Sequence, residues 1–83
     1  MNRNYKDTAK AIRNSLLIRE NISSRKVKVE GNKNGVIVTC KVDGLDMAAI
    51  KRVLDNYSMY TVGWDIVTTP ITLIDFNGNS KKI

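Results

Sequence analysis

Histidine is absent from the sequence, and cysteine occurs once, as Cys40. Without histidine, the chain lacks the Ser–His and Cys–His pairs that activate nucleophiles, and the usual general base near neutral pH. One cysteine and no histidine also exclude the common zinc sites and a disulfide within the chain. We therefore predict a protein that is not an enzyme and that uses neither a cofactor nor a metal.

Long hydrophobic runs are also missing, since no stretch approaches the roughly 20 apolar residues needed to span a bilayer. The polar start MNRNYKDTAK is unlike a secretory signal, and "GNKNG" lacks the Gly-Lys-Ser/Thr ending of a phosphate loop. Cys40 lies on the apolar parity of a predicted strand, which is typical of a buried thiol in a reducing compartment. We expect a complete small reading frame, located in the cytoplasm of a microbe or an infected cell, with no membrane partner.

Positive charge is abundant by comparison. The 83 residues contain 14 lysines and arginines but only 8 aspartates and glutamates, which gives a net charge of +6. Such a surplus attracts polyanions, nucleic acid above all. It also keeps a small protein soluble, since net charges of about 2 to 8 are common for that reason alone.

The periodicity predicts the order α-β-β-α-β, with a further strand as an option. Apolar residues at helical spacing indicate a first helix over 5–20, with Asn4 or Asp7 as its cap. Period-two alternation around "GNKNG" indicates a hairpin within 25–44. A second helix follows within 43–57, with Asp46 as N-cap. A third strand over 60–66 and a short fourth strand over 71–76 precede a frayed tail at 77–83.

These elements predict one small α+β domain over 1–83. The two helical stripes need cover, and the apolar face of the hairpin can provide it. We expect both helices on one face of a mainly antiparallel sheet of three or four strands, with its other face wet.

Two rows of cations are the candidate binding residues. On the first helix, spacings of four and three place Lys6, Lys10 and Arg13 on one flank, and Arg3 extends the row if the helix begins early. The hairpin presents further cations on its wet face and at its ends, with Glu30 and Asp65 interrupting them. A solvated charged face is the default explanation, and phosphate binding is the alternative. The predicted nucleic-acid-binding residues are Lys6, Lys10, Arg13, Arg25, Lys26, Lys28, Lys33 and Lys41.

Carboxylates give weaker signals. Asp43 and Asp46 stand at a helix start, where capping explains them better than calcium binding. Asp65 and Asp75 approach each other only if the third and fourth strands pair, and a lone pair without further ligands is little support for metal-assisted hydrolysis.

Aromatic residues bear on recognition of bases. An RNA-binding sheet carries aromatics on its open face, where they stack on bases. Here Tyr60, Val62, Trp64 and Ile66 share one parity that suits the core, which disfavours such a platform. If Tyr60 and Trp64 instead face outward, this argument reverses.

The segments "TAKAIRNSLL", "RKVKVEGNKNGVIVTCKVDG" and "MAAIKRVLDNY" together resemble a small domain associated with large polyvalent proteins of phages and mobile elements. The resemblance covers residues 8 to about 60. It departs at "VKVEG", where the family pattern has a phenylalanine and a further basic residue. The resemblance implies an accessory protein of a phage or mobile element, and it assigns no chemistry to individual residues.

Three hypotheses follow from the sequence. In the first, the protein is a non-enzymatic module that grips the backbone of DNA or RNA. In the second, it is an inhibitor or adaptor that binds a host or phage protein, for example a host-defence complex. In the third, it is a structural domain that forms a homodimer through an open edge strand.

Overall fold

The computed structural model describes residues 5–83, apart from the side chains of residues 60–62 and 67. It contains two helices and six strands in the order α-β-β-α-β-β-β-β. Their bounds are α1 (Lys6–Glu20), β1 (Val27–Asn32), β2 (Gly35–Cys40), α2 (Met47–Ser58), β3 (Met59–Val62), β4 (Asp65–Thr68), β5 (Ile71–Ile74) and β6 (Ser80–Lys82).

Helix α1 forms where the apolar stripe predicts it. Ala9, Ile12 and Leu16, which face the same side at spacings of three and four, are all buried. The helix ends where Asn21 adopts a left-handed conformation with φ 54°. The capping prediction is wrong for Asp7, which lies inside the helix, because Tyr5 occupies the N-cap position and no side chain caps the helix there. Asn4, the other candidate, lies outside the described residues.

The predicted hairpin is β1 and β2, paired antiparallel across a two-residue turn at 33–34. The register sets Val27 opposite Cys40 and Val29 opposite Val38, and all four side chains are buried. Because side chains alternate across a strand, these residues form one covered face, which packs against Ile12, Leu16, Ile50 and Leu54 of the helices. The valines are therefore explained by the core.

Helix α2 begins as the sequence predicts. The Asp46 side chain accepts a hydrogen bond of 3.1 Å from the Ala49 backbone N–H, which is the N-cap interaction. Gly44 turns the chain into the helix with φ 81°. Ile50 and Leu54, which share one face of the helix, are buried, while Met47 and Tyr57 pack partly buried against the core.

The main sheet is mixed, with strand order β1-β2-β5-β6. The pairs β1–β2 and β5–β6 are antiparallel, but β5 runs parallel to β2. Parallel neighbours need a crossover, and α2 with the chain after it supplies one. The prediction of a mainly antiparallel α+β sheet is thus confirmed in outline, and the strand at 71–76 does join it, as β5.

The prediction of a single strand over 60–66 is wrong. The chain instead forms the hairpin β3–β4, which is a separate two-stranded sheet with its turn at Gly63 and Trp64. Gly63 has φ 60°, at the position where type II′ hairpin turns carry glycine. Trp64 and Ile66, expected in the core, are exposed.

The tail predicted to fray contains β6. Ser80, Lys81 and Lys82 pair with β5, and the Ile83 backbone N–H donates a 2.9 Å hydrogen bond to the Ile71 carbonyl. Ile83 also packs partly buried against the core. Backbone pairing therefore continues to the last residues of the chain, with β6 as an edge strand of the main sheet.

Candidate nucleic-acid interface

Helix α1 packs over β1, which is an edge strand of the main sheet. The Tyr5 backbone N–H donates a hydrogen bond of 3.2 Å to the Asn32 carbonyl at the end of β1. Gly31 lies so close that a Cβ atom there would overlap the Tyr5 carbonyl. Only glycine allows this approach, which brings the flank of α1 beside the edge strand.

Arg13 connects the helix to the strand directly. Its Nη2 donates a hydrogen bond of 2.8 Å to the Val29 carbonyl, which faces away from β2. A polar group of the edge strand thereby gains a partner from a side chain. The guanidinium lies where the cations of the helix meet those of the hairpin.

Two shallow depressions adjoin at this position. One, of about 580 Å³, lies between α1 and β1 and is lined by Lys6, Lys10 and Arg13 among others. The second, of about 430 Å³, is lined by Arg13, Lys28 and Lys41 among others. They share Arg13, Val29 and Glu30, so we call them together the α1–β1 groove. The side chains that line the groove are Lys6, Asp7, Ala9, Lys10, Arg13, Ser24, Lys28, Val29, Glu30, Asn32 and Lys41, together with Gly31.

The groove is strongly positive on balance. Five cations line it against two carboxylates, those of Asp7 and Glu30, which leaves a net charge of +3. Glu30 forms an ion pair of 2.9 Å with Lys28, and both side chains are about half exposed. Lys41 donates a 3.1 Å hydrogen bond to the Ser24 carbonyl, which orients its ammonium at one end of the groove. Asp65 does not interrupt this surface, contrary to expectation, because it belongs to β4.

The other predicted cations lie around the groove. Arg25 and Lys26 are exposed in the turn before β1, and the Lys26 carbonyl accepts a 2.8 Å hydrogen bond from the Lys41 backbone N–H. Lys33 is exposed in the turn at the opposite end of β1. These three are not among the residues that line the groove. Arg3 lies outside the described residues.

Cys40 lies in the core, as the sequence predicts for a structural thiol. Its sulfur is 3.8 Å from the Met47 sulfur, and the side chain is buried. Burial, with a smaller contribution from the charge of Asp75, raises the pKa of the Cys40 thiol. A thiol of this kind is a poor nucleophile.

The carboxylates of the described residues do not form a cluster that could bind a metal ion. Asp65 and Asp75 would meet only if their strands paired, and β4 pairs with β3 instead. Across residues 5–83, no three His, Cys, Asp or Glu side chains lie together in a way that could hold a metal ion. The same residues contain no helix long and apolar enough to cross a bilayer.

The β3–β4 hairpin carries an exposed apolar surface that the periodicity does not reveal. Trp64 is fully exposed at 102%, Ile66 at 70% and Met59 at 62%. One local signal was present, because Gly63 followed by Trp64 and Asp65 suits a two-residue turn with glycine first.

No family model, curated protein or solved structure matches this chain.

Proposed function

We propose that this protein is a non-enzymatic module that binds the phosphate backbone of nucleic acid in the α1–β1 groove. The observation that carries the proposal is the sharing of Arg13 by two adjoining depressions. The helix row and the hairpin row, which are separate in the sequence, are thereby parts of one cationic surface.

The spacing of the cations suits a phosphate chain. Lys6 and Arg13 are seven residues apart on α1, or about 10 Å along the helix axis. A row of this length can contact more than one phosphate of a nucleic-acid backbone. Lys28 and Lys41 continue the surface around the edge of β1.

The groove also fits a backbone better than a small substrate. Both depressions are shallow, and their cations are long, exposed side chains. Such side chains contact phosphates without selecting a base sequence. Arg25, Lys26 and Lys33 flank the groove and add to its attraction at longer range. We therefore expect little sequence preference.

A second candidate function rests on β6. This strand forms an open edge of the main sheet, and all three of its residues are exposed. An open edge can accept a strand from another protein or from a second copy of the chain. Such a protein would serve as the inhibitor, the adaptor or the homodimer that the sequence leaves open. Its action on a host from a phage or mobile element stays a prediction.

Fluorescence anisotropy of labelled DNA and RNA tests the first proposal. Changing Lys10, Arg13 and Lys28 together to glutamine removes three charges from the groove. The matched control changes Lys51, Arg52 and Lys81 to glutamine, which removes three charges from α2 and β6.

We expect the wild-type protein to lose affinity by orders of magnitude between roughly 50 and 200 mM salt. The groove variant should bind at least about tenfold more weakly than the control variant at the lower salt. Equal affinities of the two variants would show that the charge surplus, and not the groove, attracts nucleic acid. If binding is absent and sizing shows concentration-dependent dimers, the open edge becomes the better candidate.

A further inference from the structure

The β3–β4 hairpin is a sheet of its own, and Met59, Trp64 and Ile66 on it are exposed. It shares no strand pairing with the main sheet, and a hydrogen bond of 2.8 Å from the Thr69 N–H to the Ser58 carbonyl closes its base. At about 3.3 Å per residue, its four-residue strands extend roughly 13 Å. The hairpin is therefore an arm with Trp64 at its tip.

Trp64 has no structural role that explains it. The indole is fully exposed. It belongs neither to the buried core cluster nor to the partly buried residues that pack against that cluster. The geometry of the turn requires glycine at position 63 but would accept a polar residue at position 64. The turn therefore does not explain the tryptophan at that position. Both faces of the indole are open to a planar ligand, which is the arrangement of an aromatic side chain that stacks on nucleobases.

The arm leaves the body near the N-terminal end of α1, where the α1–β1 groove also begins. The end of α2 faces the start of α1, because Asn56 and Tyr57 line one depression together with Asp7 and Thr8. Asp7 also lines the groove next to Lys6. A hydrogen bond of 2.6 Å between the Ser15 and Tyr57 hydroxyls further joins the two helices. Since β3 begins directly after α2, the base of the arm lies near the end of α1 where the groove begins, one helix width, about 10 Å, from the groove cations.

From this arrangement we propose that Trp64 stacks on an unpaired base of a single strand whose phosphates occupy the groove. The inference rests on the proposed function and narrows it to single-stranded DNA or RNA. In a duplex the bases are already stacked on each other, so the indole could not reach a base face without the cost of extruding it. A cationic track with a projecting aromatic is the combination that single-strand binders use.

Trp64 is the only tryptophan of the chain, so its fluorescence reports on stacking directly. The probes are a short oligodeoxythymidylate, its RNA counterpart, and a DNA duplex of the same length. We expect both single strands to quench the Trp64 emission and the duplex to leave it nearly unchanged. Trp64→Ala should weaken single-strand binding roughly 5- to 140-fold, since one stacked base contributes about that factor.

Two variants separate stacking from general apolar contact. Trp64→Phe keeps an aromatic face and should retain most of the affinity. Ile66→Ala removes an exposed apolar side chain from the same arm and should change affinity less than about twofold. Both positions are exposed, so the three variants should keep the circular dichroism spectrum of the wild type.

The outcomes distinguish this inference from the proposed function. Salt-sensitive single-strand binding without quenching, and with full affinity in Trp64→Ala, would overturn the role of Trp64 and leave the groove in place. Equal losses in Ile66→Ala and Trp64→Ala would overturn stacking in favour of an apolar protein or lipid contact, and a blue shift with anionic phospholipid vesicles would identify the lipid. Absence of any salt-sensitive binding would overturn both proposals.

Discussion

The Arg13 guanidinium donates a 2.8 Å hydrogen bond to the Val29 carbonyl, across the gap between α1 and the outer edge of β1. This contact does two things at once. It gives a partner to a carbonyl of the edge strand, and it places a positive charge where the helix row meets the hairpin row. Several consequences for stability and binding depend on this packing of α1 against β1.

The hydrogen bond itself has a measurable effect. Arg13→Met keeps much of the aliphatic stem but removes the donor, so the free energy of unfolding should fall by about 1 kcal/mol. Arg52→Met removes a charge from an exposed position on α2 and should change it by less than about 0.5 kcal/mol. Urea denaturation of both variants gives the two values. A smaller loss for Arg13 than for Arg52 would mean that the contact with Val29 contributes nothing.

Gly31 should tolerate no side chain. In Gly31→Ala the added Cβ overlaps the Tyr5 carbonyl, a backbone atom, so α1 must shift away from β1. We expect a loss of about 2 kcal/mol in the free energy of unfolding, as for overpacked sites. Gly44→Ala is the matched control, because its Cβ meets nothing within 4 Å and its cost is the positive φ alone, about 1 kcal/mol. If the two variants lose equal stability, the close approach of Tyr5 to Gly31 is not a constraint.

The cap of α2 makes a separate contribution. Asp46→Ala removes the acceptor for the Ala49 N–H and should lower the free energy of unfolding by about 1 kcal/mol. Asp55→Ala removes the same charge from an exposed position within α2 and should have little effect. Thermal unfolding of both variants, followed by circular dichroism, gives their melting temperatures. An equal fall in melting temperature in the two variants would mean that the lost charge, and not the lost cap, lowers the stability.

The buried Cys40 thiol should make the free energy of unfolding depend on pH in the alkaline range. Because burial raises the pKa of the folded thiol above its value in the unfolded chain, the unfolded state loses this proton at a lower pH than the folded state does. The free energy of unfolding should therefore be unaffected by this group below its ordinary pKa, and should fall as pH rises from there towards the raised pKa. Urea titrations of wild type and Cys40→Ala over this range measure the difference, and Cys40→Ala should show the shallower fall. Parallel curves would contradict the assignment, as would rapid reaction of the native thiol with a disulfide reagent.

The elements that the sequence predicts well are local ones. The Ala9, Ile12 and Leu16 stripe, the Asp46 cap and the alternating valines of β1 and β2 each depend on neighbours a few residues away. The parallel pairing of β2 with β5 is different, because the whole crossover separates the two strands. Its strand direction follows from the path of the chain after α2, which periodicity does not record.

The sequence predicts the two rows of cations of the candidate site, but not that they lie side by side. Helical spacing places Lys6, Lys10 and Arg13 on one flank, and alternation places Lys28 on the face opposite the valines. Neither pattern says over which strand of the hairpin α1 packs. The Tyr5–Gly31 approach decides this, and it joins the rows through Arg13. Alternation predicts Trp64 in the core because its period of two continues through the turn at Gly63, where the chain in fact reverses.

The position of the bound strand can be tested by titrating isotope-labelled protein with oligodeoxythymidylate and following the backbone amide signals by NMR. We expect the amide signals of residues 6–13, 28–32 and 41 to shift together as the strand is added, and these shifts to reverse at high salt. We expect the amide signals of β6 to keep their chemical shifts. Shifts confined to α2 and β6, or the absence of any shift at low salt, would contradict the assignment of the α1–β1 groove.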